Sequence, residues 1–201
     1  MCGIFAILNS SIIWNCDTEY IEEQFLKGRQ RGPEYSFFKQ YNNYILGFHR
    51  LAINGYNDVA SNQPLIQDDI KLICNGEIYN YLDLYKKMKI TPHTKSDCEV
   101  IIHLYKKYGI EYTLQALDGV FAFVLIDNKT KKTYVARDTY GVRPMFIMET
   151  NVKCTTTQYY FTSEIKQMPE FSEGWDLFHL EQFKPGCYLE FDYTVGYNDQ
   201  Y

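Results

Sequence analysis

Residues 120–136, VFAFVLIDNKTKKTYVA, decide the fold class. The stretch 120–126 is a continuous apolar run and 133–136 is a second strand-prone run. Between them, Asp127-Asn128-Lys129-Thr130 has the polar make-up of a hairpin turn. Two strands joined so closely run antiparallel, because a parallel pair needs a crossover of about a dozen residues or more. Upstream of the hairpin lies a helix over 94–108, with Thr94 or Ser96 as its cap and Val100, Ile101, Leu104, Tyr105 and Tyr108 at helical spacing. A shorter helix covers about 111–117 and ends before Gly119. Downstream, strands are expected at 144–148, 159–162 and 186–191.

Further towards the N-terminus the pattern returns to strands. Residues 2–8 form a short buried strand, a continuous apolar run at the start of the chain. Asp17 can cap a helix to about Arg29, and Arg31-Gly32-Pro33 breaks it. Strands at 35–40 and 44–52 are joined by Asn42-Asn43. A loop over 54–64 leads to a strand at 70–74, and a loop with a short helix covers 75–88. Strands therefore gather at both ends of the chain and helices in the middle. That order predicts an α+β fold with largely antiparallel sheets rather than a doubly wound one. No repeat, low-complexity tract or linker interrupts it, so a single domain is expected.

The 201 residues suffice for one large domain, and 46% apolar with 22% charged residues is the make-up of an ordinary globular protein. The 19 Tyr and 13 Phe suit half-buried strands. A formal net charge of −5, with 20 dispersed basic residues, leaves no basic stripe and argues against nucleic acid. The six cysteines form no C-x-x-C pair, which removes the usual zinc spacing. The first cation is Lys27, and the apolar stretch 4–8 is too short for a signal h-region or a membrane span. A cytoplasmic location with free thiols is the expectation.

Cys2 behind an initiator Met is the first candidate for chemistry. Removal of Met1 would place a thiol and a primary amine on one residue, and an α-amine with a pKa near 8 can take the thiol proton directly or through a water. A small core residue at the start of a strand is the competing reading. Asn75-Gly76-Glu77 follows the strand predicted at 70–74. An Asn amide and a Gly N–H can stabilise an oxyanion, although Asn-Gly is also an ordinary strand-ending turn. Arg50 could fork onto an α-carboxylate, while Glu77 and Asp97 could receive an α-ammonium. A plain ion pair for Arg50 and a helix-start acid for Asp97 remain open. The four histidines give no metal pattern. His49 alternates away from Arg50 on its strand, and His93, His103 and His179 read as isolated. Arg137-Asp138 and the Gly141-Val142-Arg143-Pro144 turn read as structural. No nucleotide-binding or nucleophile-elbow motif occurs.

Taken together, several strings resemble the class II glutamine amidotransferases, and within them the glutaminase domain of animal-type asparagine synthetases. They are MCGIFAI at 1–7, RGP at 31–33, GFHRLAI at 47–53, NQP at 62–64, CNGEIYN at 74–80, SDCEVI at 96–101, LDGVFAFVLID at 117–127, ARDTYGVRPMF at 136–146, TSEIKQM at 162–168 and KPGCYLEFD at 184–192. Their order along nearly the whole chain carries the likeness. The resemblance implies an N-terminal nucleophile hydrolase fold, a four-layer α-β-β-α sandwich, over 1–192, with 193–201 beginning a linker or tail. It implies Cys2 as nucleophile and base, Asn75 and Gly76 as the oxyanion hole, and Arg50, Glu77 and Asp97 as holders of the two charged ends of glutamine. It also implies that Leu51, Ala52, Ile53 and Asn54 present backbone groups to the substrate.

The implied reaction attacks the amide of L-glutamine, passes through a glutamyl thioester and frees ammonia and glutamate. A synthetase domain, in cis or in trans, would use the ammonia with ATP and magnesium to convert aspartate to asparagine. No cofactor or metal is implied for the domain itself, and a homodimer stays open. Two departures stand out. Gln30 occupies the place of the family's usual His before RGP, and the chain reaches only Tyr201, without the P-loop-like motif of the ATP-using domain. An ammonia donor to another acceptor, as in phosphoribosyl or hexosamine amidotransferases, is the alternative reading. So is a non-catalytic module, should Met1 be retained.

Overall fold

The computed structural model describes residues 1–9, 18–152, 156–170 and 175–192. In chain order the first elements are β1 (Gly3–Leu8), α1 (Thr18–Leu26), β2 (Tyr35–Gln40), β3 (Tyr44–Arg50), β4 (Leu65–Gln67), β5 (Ile70–Ile78), α2 (Tyr81–Met88) and α3 (Glu99–Ala116). There follow β6 (Gly119–Asp127), β7 (Lys132–Arg137), β8 (Phe146–Val152), β9 (Thr156–Thr162), β10 (Trp175–Gln182) and β11 (Tyr188–Asp192). The chain divides into two compact units, each holding one sheet. Every strand pair is antiparallel, as the hairpin at 120–136 led us to expect.

The first unit comprises Met1–Ala52 and Arg143–Lys184 and carries a six-stranded sheet in the order β10-β8-β9-β1-β3-β2. β1 lies between β3 and β9, which explains why GIFAIL is apolar at every position: all six residues are buried. α1 covers this sheet through Ile21 and Phe25, which share a core with Phe5, Ile7, Ile45, Met148 and Tyr160. Burying each such side chain contributes about 1.5–3 kcal/mol. The predicted cap at Asp17 lies outside the described residues, as do Cys16 and Cys154. β10, which sequence reading missed, pairs with β8 and has a register shift between Leu177 and His179. Such an irregularity blurs the alternation that announces a strand.

The second unit comprises Ile53–Val142 and the stretch from Pro185, with strand order β11-β7-β6-β5-β4. α2 and α3 supply Leu84, Met88, Val100, Ile101 and Leu104 to a core shared with Leu72, Cys74, Phe121, Phe123 and Leu125. α3 is broken at Gly109, whose φ of 80° and ψ of 175° leave the helical region, so the two predicted helices meet end to end. Its first residues are not capped by the side chains of Thr94 or Ser96 in the expected way. The backbone N–H of Glu99 bonds to Ser96 O at 3.3 Å instead. The hairpin turn is held by Asp127, whose Oδ1 accepts from the N–H of Lys129 and of Thr130 at 2.9 and 3.1 Å.

One correction bears on the site. β5 does not end at Cys74 but runs to Ile78, so Asn75, Gly76 and Glu77 are ladder residues opposite Ala122, Phe121 and Val120. A Cβ on Gly76 would sit 2.7 Å from Val120 O and 2.8 Å from Phe121 Cβ. The glycine that reads as a turn signal is therefore what lets β6 approach; cross-strand contact overrides local propensity.

Candidate active site

In the first unit, β1 and β3 pair from Leu8↔Tyr44 to Gly3↔His49, so Cys2 emerges beside the end of β3. Its Sγ lies 3.3 Å from Leu51 O and 3.4 Å from Leu51 N. The thiol can donate to that carbonyl, and the N–H can donate to sulfur, an interaction that strengthens once sulfur carries negative charge. Arg31 Nε donates to the Cys2 carbonyl at 2.8 Å, and its Nη1 lies 3.4 Å from Glu164 Oε1. Gly32 admits no side chain: a Cβ there would lie 2.4 Å from His49 C, His49 O and Arg50 C. Pro33 bridges to Arg50, Glu34 N donates to Arg50 O at 3.3 Å, and Glu34 Oε2 accepts from Ala52 N at 2.7 Å. RGP is thus a cradle for Arg50, Leu51 and Ala52, the segment that faces Cys2.

His49 anchors the same strand end from beneath. It is fully buried, its ring stacks on Phe25 at 4.0 Å, and its Nε2 lies 3.0 Å from Phe25 O. A carbonyl only accepts, so Nε2 carries the proton and Nδ1 accepts from Ser36 Oγ at 2.8 Å. Burial, with a smaller effect from the Arg29 charge, pushes His49 below its usual range against the pull of the Phe25 carbonyl. The alternation expected between His49 and Arg50 holds: His49 is buried and Arg50 partly exposed.

In the second unit, Asn75 is only 2% exposed, and its Nδ2 has no hydrogen-bond partner among the described residues. An orphaned buried amide donor costs about 1–3 kcal/mol and calls for an explanation. Asp97 is 4% exposed; its Oδ2 accepts from Ile78 N at 2.6 Å, and the Asn54 side chain also bonds to it. Burial raises the Asp97 carboxyl above the ordinary range, these bonds oppose the rise, and the Glu77 carboxylate adds to it. Asn54, Glu77 and Asp97 are therefore gathered, whereas the Ile53 side chain is exposed.

The glutamine amidotransferase domain family matches this chain over residues 1–192. The chain belongs to that family. It is 37% identical to the glutamine-hydrolysing asparagine synthetase of Homo sapiens over 204 residues, covering 96% of this chain and 34% of that enzyme. Against asparagine synthetase 1 of Arabidopsis thaliana it is 36% identical over 192 residues, covering 92% of this chain and 30% of that enzyme. The chain thus spans about a third of the length of the curated relatives it matches. Among solved structures, the glutamine phosphoribosylpyrophosphate amidotransferase of B. subtilis shares the fold, with a TM-score of 0.69 at 22% identity over 96% of this chain and 48% of that one. The α+β class with antiparallel sheets agrees with this likeness.

Within this glutamine amidotransferase domain, sequence reasoning gave no place in the site to Arg31, Gly32, Glu34 or Gln63, and read Arg31-Gly32-Pro33 only as a helix break. Gln63 extends the sheet ahead of the start of β4: its Nε2 donates to Cys74 O at 3.0 Å and its Oε1 accepts from Cys74 N at 2.6 Å. A side-chain amide stands in for a strand just before Asn75. Only the NQP string marked it, and a string does not reveal that geometry. Gln30, the departure from the family's pattern, has an exposed side chain. The reading of Arg137-Asp138 as structural fits Asp138, whose Oδ1 accepts from the N–H of Tyr140 and of Val142 at 3.1 and 3.0 Å.

One expectation is overturned. His93 and His103 are not isolated; their rings lie 6.0 Å apart, and His103 Nε2 is 2.9 Å from Glu99 Oε1. Glu99 and His103 are a helical i,i+4 pair, a spacing legible in the sequence, whereas the approach of His93 depends on the loop that precedes α3. Among the described residues Cys2, Cys74, Cys98 and Cys187 form no disulfide, and no helix is long and apolar enough to cross a membrane.

Proposed function

We propose that this chain hydrolyses L-glutamine through a Cys2 glutamyl thioester and supplies the ammonia for asparagine synthesis. The observation that carries the reading is the buried Asn75 amide whose Nδ2 has no partner among the described residues. A donor left so is stabilised by an anion that forms only during reaction, which is how an oxyanion hole accelerates acyl transfer. Gly76 would offer its N–H to the same oxygen. Met1 is half exposed, and its removal frees the Cys2 amine. That amine takes the thiol proton, sulfur attacks the side-chain carbonyl carbon, and the carbon–nitrogen bond breaks as the amine returns its proton to departing ammonia. Water then cleaves the thioester to glutamate.

Arg50 pairs with the α-carboxylate of glutamine and Glu77 and Asp97 with its α-ammonium, while Leu51, Ala52, Ile53 and Asn54 contribute backbone groups. Residues 1–192 act as the glutaminase domain, and 193–201 begin a linker. The likeness to asparagine synthetases three times as long supports a synthetase domain, in cis or in trans, that uses ATP and magnesium. A cytoplasmic setting accords with that pathway. The test is glutamate release from protein whose intact mass shows Met1 absent. Cys2→Ala abolishes release, and Asn75→Ala lowers kcat by about 10²–10³-fold. Full activity in Cys2→Ala, or no glutamate from correctly processed wild type, overturns the reading.

A further inference from the structure

We propose that His93, Glu99 and His103 form a binding site for zinc. The site is separate from the residues assigned to glutamine and does not rest on that assignment. Glu99 and His103 project from successive turns of α3 with side chains 4% and 5% exposed, and His93 reaches them from the preceding loop. One ligand atom from each residue lies within 4.8 Å of the other two. Tetrahedral zinc, with bonds of about 2.0–2.2 Å, holds its ligand atoms roughly 3.3 Å apart. The 2.9 Å between His103 Nε2 and Glu99 Oε1 is close to that spacing, and rotation of the exposed His93 side chain closes the remainder.

The carboxylate is prepared for a cation. Glu99 Oε1 accepts from the N–H of His93 at 2.8 Å, and Oε2 accepts from the N–H of Thr94 at 2.6 Å. Two imidazoles and one carboxylate suit zinc, whereas magnesium and calcium favour all-oxygen shells. Two of the three residues, His93 and Glu99, line a cavity of about 330 Å³ together with Thr94, Asp68 and Gln67. Gln67 Oε1 is buried without a hydrogen-bond partner among the described residues. A zinc-bound water in the shared cavity would supply this oxygen with a donor. With metal bound, His103 carries its ring proton on Nδ1, and Nε2 exchanges its bond to Glu99 for the ion.

Bound zinc would tie the loop over 89–98 to the first turns of α3. That loop is already fixed by Lys95 N, which donates to Asp58 Oδ2 at 2.9 Å and to Ser61 Oγ at 3.1 Å, and it carries Asp97. The test uses the full chain, stripped with chelator and titrated with cobalt(II). We expect one equivalent bound with the visible bands of a four-coordinate site and no thiolate-to-cobalt charge-transfer band, and displacement by zinc. Zinc also raises the thermal midpoint. His93→Gln, at an exposed position, weakens zinc binding by more than the roughly 10–100-fold lost with an outer-shell partner, and abolishes the midpoint shift. His103→Gln does the same. A thiolate charge-transfer band, undiminished zinc affinity in His93→Gln, or less than one equivalent bound by wild type overturns the site and leaves a metal-free hydrogen-bond network. None of these readouts involves glutamine.

Discussion

Asp97 is a carboxylate held where water is scarce, beside a second carboxylate at Glu77. A fold that only needed an acceptor for Ile78 N could use an amide there. The buried charge is costly, and in the proposed reading the ammonium of glutamine compensates it. Asp97→Asn keeps the oxygen that Ile78 N requires and removes the charge. The variant is expected to unfold at a higher temperature than wild type while its KM for glutamine rises, a stability–function trade-off read by calorimetry and steady-state kinetics. A variant that gains no stability and binds glutamine normally would return Asp97 to a simple helix-start acid. His49 shows the opposite linkage. Its folded-state pKa lies below its unfolded value, so its contribution to stability is full above the unfolded value, about 6.5, and is lost as pH falls through the folded one. The thermal midpoint of wild type is expected to drop on acidification from pH 7 to 5. His49→Gln, less stable throughout, should show a flatter profile over that interval.

At the scale of elements, the short run from Arg31 to Glu34 matters more than its length suggests. It ties the Cys2 carbonyl, the end of β3 and Ala52 together through Arg31, Pro33 and Glu34. Gly32→Ala tests that role, because the new Cβ would press on the backbone of His49 and Arg50, which cannot rotate away. A cost of about 1–3 kcal/mol is expected from the overpacking. The kinetic loss should exceed what stability explains, since displacement of Arg50 and Leu51 moves the groups assigned to substrate. Chemical denaturation and glutamate release on the same preparation separate the two effects. The elements themselves were largely legible in the sequence: β2 was read to the residue, and α3 was read as two separate helices, to Tyr108 and over about 111–117, which the structure joins at Gly109. β4 and β10 were not, for physical reasons. β4 is three residues long, and β10 carries a register shift, so neither shows clean alternation.

For the whole molecule, the catalytic proposal turns on the free amine of residue 2. A non-cleavable extension ahead of Met1 is expected to abolish glutamate release without shifting the thermal midpoint by more than a degree or so, because Met1 is half exposed and outside the core. Appreciable turnover from such a chain would show that the α-amine is not the base. By itself the sequence determined the fold class, the antiparallel pairing and the chemistry on offer: a thiol at position 2, an Asn-Gly pair, and charges suited to an amino acid. Those follow from periodicity and residue type, which are local properties. Tertiary structure alone decided that Asn75 and Gly76 lie within a strand, that Gln63 serves as part of a sheet, that Arg31 grips the Cys2 backbone, and that His93 meets His103. Each of these depends on residues distant in sequence being brought together by burial, which no spacing along the chain encodes.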